Sequence, residues 1–139
     1  MWATNYDDRL IEWRSLRETA STQPLDTALL TVDDWWQHAP LVNHYLHIDD
    51  QANWPLPWDL LAENTYCDLA KCLGICYTLL LLKHKDITSL EIIETQQEFL
   101  VAVNNDAILN YYPREIVNRH TLEDMKIMRV VDAQSLNLE

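Results

Sequence analysis

Residues 54–74 read WPLPWDLLAENTYCDLAKCLG, and the fold follows from how that stretch is parsed. Pro55 and Pro57 lie two apart and cannot both sit inside a helix, so Gln51 to Pro57 is a turn region. A short helix from Pro57 to Asn64 follows. A long apolar helix then runs from Tyr66 to Lys83, with Cys67 where it begins. A thiol at a helix N-terminus feels the positive end of the backbone dipole and the unpaired N–H groups there. Both favour the thiolate, which makes Cys67 the candidate nucleophile.

Upstream, the spacing of Leu10, Trp13, Leu16 and Ala20 predicts an amphipathic helix from Tyr6 to Ala20. Ser21 to Pro24 breaks it. A second helical stretch is expected from Val32 to about His47, with Asp33 and Asp34 in its first turn and Pro40 bending or restarting it. Downstream of Asp86 the period changes from helical to alternating. Ser89–Glu94, Glu98–Val103 and Ala107–Tyr112 are short apolar runs rich in β-branched and aromatic residues. Asn104-Asn105-Asp106 between the last two is a hairpin turn signal. Glu115–Val117 and Lys126–Val131 add further strands. Helices first and an antiparallel sheet second is an α+β arrangement, here one domain over residues 1–139 with a helical N-terminal half packed on a small sheet.

Composition excludes several function classes. The 139 residues are 48% apolar and carry a net charge of −12, so they form a folded but strongly acidic chain. That charge repels phosphate backbones and argues against direct nucleic-acid binding. One glycine, Gly74, leaves no phosphate-cradling loop. Cys67, Cys72 and Cys76 share one helix, where intrahelical geometry does not readily allow a disulfide. With an odd cysteine count and no signal peptide, the expectation is a reducing cytoplasm. The apolar run LGICYTLLLL is too short to span a bilayer. His44 and His47, with Asp49 and Asp50 beyond them, lack any paired Cys or His-Glu signature. Cys72 and Cys76 read as inert buried thiols, and no metal or other cofactor is expected.

Several short pieces carry a resemblance. Val42-Asn43, Tyr45, Trp54, Pro57-Trp58-Asp59-Leu60, Tyr66-Cys67-Asp68-Leu69-Ala70 and Leu73-Gly74 are similar to successive motifs of the bacterial transglutaminase-like cysteine peptidases. Thr65 and Tyr66 stand where that family has Gly and Asp. The resemblance extends from Val42 to Tyr112 and implies a transglutaminase/papain-like fold with a cysteine nucleophile at Cys67. It places the family's histidine at Glu98 and its aspartate at Asn110. An ionised Glu98 repels a thiolate and cannot replace imidazole. His84 lies too far along the same helix, His120 comes too late in the fold order, and His38, His44 and His47 precede the nucleophile. The base is missing from its expected place.

Adjacent Trp35 and Trp36 point about 100° apart on a helix, so at least one is expected to face a partner. The leading expectation is a non-catalytic transglutaminase-like module that works by protein–protein contact, with a basic protein as partner and no membrane. The chain is also loosely similar to small proteins of tailed phages, which implies a virion or head–tail assembly component. Two alternatives stay open. One is a cysteine hydrolase or acyltransferase with an atypical triad around Cys67. The other is an acidic inhibitor that mimics nucleic acid.

Overall fold

The computed structural model describes residues 2–111 and 115–139. Four helices precede a sheet: α1 (Tyr6–Ser21), α2 (Leu25–Gln37), α3 (Pro57–Ala62) and α4 (Asp68–Leu82). The strands are β1 (Leu90–Thr95), β2 (Phe99–Val103), β3 (Ala107–Leu109), β4 (Val117–Asn118) and β5 (Ile127–Asp132). Among the described residues they form one antiparallel sheet in the order β4-β3-β2-β1-β5. The α+β reading therefore stands.

Each element starts for a local reason. Asn5 caps α1, its side chain accepting the N–H groups of Asp7 and Asp8 at 2.9 and 3.2 Å. Pro57 occupies the first turn of α3, where its missing N–H costs nothing. Lys83 closes α4 in the left-handed conformation. The β2–β3 hairpin turns through Asn104 and Asn105, both with φ 56°. The Asn104 amide then ties this turn back to the β1 approach, accepting from the N–H groups of Thr88 and Ser89. The third strand was expected to reach Tyr112, which lies outside the described residues.

The second helix corrects the sequence reading. It begins at Leu25, not Val32, and ends at Gln37 instead of continuing to His47. Pro24, extended at ψ 156°, sets the start. The buried residues Ala28, Leu29, Val32 and Trp36 form one helical stripe that reaches upstream of the expected boundary. Asp33 and Asp34 consequently sit in the last turns, where the dipole opposes them. Asp33 is compensated by hydrogen bonds described below. Beyond Pro40 the chain is non-helical as far as a 3₁₀ turn at Gln51–Asn53.

Helix α4 is the hub. Every residue from Leu69 to Leu79 is buried, and the two opposite faces of the helix do different work. Gly74 and Thr78, one turn apart, face α1 and α2. Trp13 Nε1 and Trp36 Nε1 both donate to Thr78 Oγ1, at 2.9 and 3.0 Å, while the hydroxyl donates to Gly74 O at 2.7 Å. The Trp36 ring lies directly over Gly74, where a built Cβ would stand 2.3 Å from the nearest ring carbon. On the other face, Asp68 and Cys72 meet the sheet. A second, smaller apolar cluster of Ile93, Leu100, Ala102 and Ile108 lies on the far side of the sheet under Leu122.

Two stability outcomes follow. Thr78→Val removes the shared acceptor and leaves two buried indole N–H groups unpaired, at about 1–3 kcal/mol each. Thr78→Ser keeps the hydroxyl and restores most of that loss, as measured by urea unfolding. Gly74→Ala drives a methyl into the Trp36 ring and costs at least about 3 kcal/mol, with the loss expected in the same assay.

Candidate functional site

The N-terminus of α4 is pinned from three sides. Tyr66 is fully buried, and its hydroxyl donates to Leu60 O at 2.9 Å and Glu63 O at 2.6 Å. Its backbone forms a one-residue parallel bridge with Leu41, through Tyr66 N–H to Pro40 O and Val42 N–H to Tyr66 O. Cys67 follows as the N-cap residue, with ψ 171°, and its side chain makes no capping bond. Its side chain has no exposure to solvent. Tyr45 spans the same region, donating to Glu63 Oε1 at 2.6 Å and Thr65 O at 3.2 Å.

No histidine hydrogen-bonds the Cys67 sulfur among the described residues. His38 Nδ1 meets Asp34 O at 2.7 Å, His84 Nε2 meets Gln23 O at 3.0 Å, and His120 pairs with Glu123. His44 and His47 pack edge-on with ring centres 5.0 Å apart. His44 also stacks on Phe99 at 5.8 Å.

The helix start, the head of β2 and the end of β3 do converge, one residue further on than the family positions at two of the three points. Asp68 Oδ2 accepts Phe99 N–H at 2.6 Å, and Asp68 Oδ1 accepts from Asn110 Nδ2 at 2.9 Å. Asn110 follows β3 in the left-handed conformation, with φ 62°. That turn points its amide at Phe99 O, 3.0 Å away, and at Cys72 Sγ, 3.3 Å away. Cys67 and Glu98 each stand one position before the residue that makes the contact. The meeting point thus holds a carboxylate, a backbone amide and a carboxamide. Its one thiol, Cys72, is wholly buried, and among the described residues no imidazole hydrogen-bonds there.

A second layer surrounds this point. Asn110 N–H donates to Asp33 Oδ1 at 2.8 Å, and Gln37 Nε2 donates to Asn110 Oδ1 at 3.1 Å. Lys71, itself buried, reaches Gln37 O at 3.4 Å. The cluster links α2, α4 and the β3 end through polar groups that residue spacing alone does not bring together. Asp33, in particular, is expected from sequence in the first turn of a helix, yet it is buried near a helix end.

Burial governs the titration of these groups. It raises the Asp33 carboxyl above its ordinary value of 3.8, against the opposing hydrogen bonds from Asn110 and Gln37. Burial, with Asp68 and Cys76 nearby, pushes the Cys72 thiol well above its usual range. Burial alone also raises Cys76. Glu98 is raised by burial first and by the Asp68 charge second.

Beside the convergence point lies a cleft of about 560 Å³. The extended segment Leu41–His44 forms one wall, Glu94–Phe99 the other, and Asp68 the floor. Trp36, expected as a possible interface residue, is fully buried on Gly74 and Thr78. Trp35 is half-buried, donates to Glu12 at 3.3 Å, and lines a shallow groove with Ile11 and Leu16 between α1 and α2. Among the described residues, no three His, Cys, Asp or Glu side chains are grouped to hold a metal ion. No described helix is long and apolar enough to cross a membrane.

The raised carboxyls carry a pH signature. Asp33, Glu63 and Glu98 all have folded-state pKa values above their unfolded ones. The native state therefore holds protons more tightly, and stability falls as pH rises through the folded values. Urea midpoints are expected to rise as pH is lowered from neutral towards the carboxylate range. Asp33→Asn keeps the Oδ1 acceptor without the buried charge. It is expected to stabilise at neutral pH and to flatten the slope; a destabilised variant with an unchanged slope contradicts this account.

No protein-family model matches this sequence, and neither a curated protein nor a solved structure does.

Proposed function

We propose that this protein is a non-catalytic, transglutaminase-like module that acts by contact with another protein. One observation carries the reading. Where a cysteine peptidase of this layout needs a thiolate beside an imidazole, this chain has Asp68 closed by hydrogen bonds onto Phe99 N–H and the Asn110 amide. Both carboxylate oxygens are engaged, and the three cysteines are buried. Peptide cleavage also needs an acid that protonates the leaving amine, and no imidazole reaches Cys67 among the described residues to supply one.

The surface supports a role in contact. Ile11 and Leu41 are each 64% exposed, Leu30 is 56% exposed and Trp58 45%. Such side chains gain roughly 2 kcal/mol each when a partner removes them from water. The net charge of −12 steers the module towards a basic partner and keeps separate copies apart. Trp35, with Ile11 beside it, replaces the tryptophan pair as the contact residue on the α1–α2 side. A place in a tailed-phage virion or head–tail assembly suits a small acidic module of this kind.

Alkylation separates this reading from the hydrolase alternative. Iodoacetamide modification at Cys67, followed by peptide mass mapping, is expected to be slow at neutral pH and to need unfolding. Cys67→Ser is expected to leave the module functional at a cost of about 1–2 kcal/mol for the buried hydroxyl. Rapid modification of native Cys67 with a rate plateau below pH 7 would instead mark a partnered, catalytic thiol.

A further inference from the structure

The cleft between Leu41–His44 and Glu94–Phe99 has an uneven charge balance. Three carboxylates line it, and none of its described lining residues is Lys or Arg. Two of the three are already compensated. Asp68 accepts two hydrogen bonds, and Glu94 has Arg129 at 4.0 Å, a guanidinium it shares with Asp49. Glu98 is different, since its side chain has no hydrogen bond or ion pair among the described residues. It is also partly buried, next to Asp68. A carboxylate held in that setting loses water without gaining a donor, which a cation entering the cleft would reverse.

The rest of the cleft narrows the choice of cation. Its lips are apolar and open to solvent: Leu41 is 64% exposed and Val42 37%. Its wall is aromatic, with the exposed His44 ring lying parallel to Phe99 at an interplanar angle of 4°. Small inorganic cations have no use for apolar lips or ring faces. A guanidinium does, because it stacks flat on an aromatic ring while its N–H groups reach a carboxylate. The volume, about 560 Å³, lies within the range of sites that hold a small ligand, room enough for an arginine side chain and its neighbours.

We infer that this cleft receives an extended segment of the partner protein, with an arginine set against Glu98 and apolar neighbours on Leu41 and Val42. The assignment rests on the contact function proposed above and names one surface and one chemistry for it. Charge complementarity selects the arginine, and the exposed lips select a peptide over a free amine.

Immobilised hexapeptide series with a fixed central arginine, lysine, citrulline or glutamate, and mixed residues elsewhere, test the assignment. The folded protein is expected to bind the arginine series at least fivefold better than the citrulline series. Glu98→Gln is expected to reduce that preference to less than twofold, and Leu41→Ser to weaken binding throughout. Val130→Ala, an exposed change on β5 outside the cleft lining, is expected to change neither. Unfolding curves for each variant establish that the fold is intact. No preference for arginine, or one that survives Glu98→Gln, overturns the cleft assignment. Binding lost in Val130→Ala but not in Glu98→Gln overturns it too, while leaving the contact function in place. Rapid native alkylation of Cys67 together with no peptide binding would remove the contact function itself.

Discussion

The hydroxyl of Thr78 is the joint on which the helical half of this protein turns. It accepts from Trp13 on α1 and Trp36 on α2, and it donates to the carbonyl of Gly74 one turn below. Two indoles are large apolar bodies, each with one polar atom that must find a partner when buried. A single hydroxyl serves both. The bare backbone at Gly74 lets the Trp36 ring lie flat where any side chain would block it. Helices α1 and α2 are thereby held at fixed positions on α4. The geometry of the opposite face of α4, where the candidate site lies, depends on that.

Around this joint the aromatic residues form a continuous layer. Trp2 meets Trp35, Trp36 and Tyr66 with ring centres 4.3 to 5.4 Å apart, and Arg9 lies over Trp2 at 5.9 Å. Arg9 is almost wholly buried, yet its donors are well used: Leu61 O at 2.7 Å, Ala3 O at 2.8 Å and Asn64 Oδ1 at 3.1 Å. It fastens the N-terminal segment and α1 to the end of α3, which leads into Tyr66 and Cys67. Breaking such a buried cation from its acceptors costs far more than a surface pair does. The position of Cys67 is thus set by packing and hydrogen bonds reaching from the N-terminal segment.

How far the sequence foretold this differs by element. The hairpin at Asn104–Asp106 was legible because two consecutive asparagines accept the left-handed conformation, and that is a local property. The long helix and the strands flanking the hairpin were legible from apolar period alone. Helix α2 was misplaced because Asp33 and Asp34 look like a dipole-matched first turn. The actual setting of Asp33 near the helix end is rescued by Asn110, 77 residues away. No spacing rule reports such a partner. The same limit hid the burial of Lys71 and the engagement of Asp68, since both depend on where β2 and β3 meet α4.

The candidate site shows most clearly why position along the chain is a weak guide to chemistry. The motif-like segment Tyr66-Cys67-Asp68 draws attention to the thiol, but the residue that reaches the sheet is the next one. Cys67 is still extended as the N-cap, with ψ 171°, and Asp68 is the first helical residue, so the carboxylate is the group that bonds to the sheet. Asp68 is then held in the first turn, where the dipole favours its charge, by two donors from β2 and the β3 end. A carboxylate so held is a fastening between helix and sheet. The neighbouring Glu98 carries the same charge on the cleft side without any donor. The difference between the two acids is therefore one of partners supplied by the fold, and it is the unsupplied one that gives the cleft its demand for an external cation.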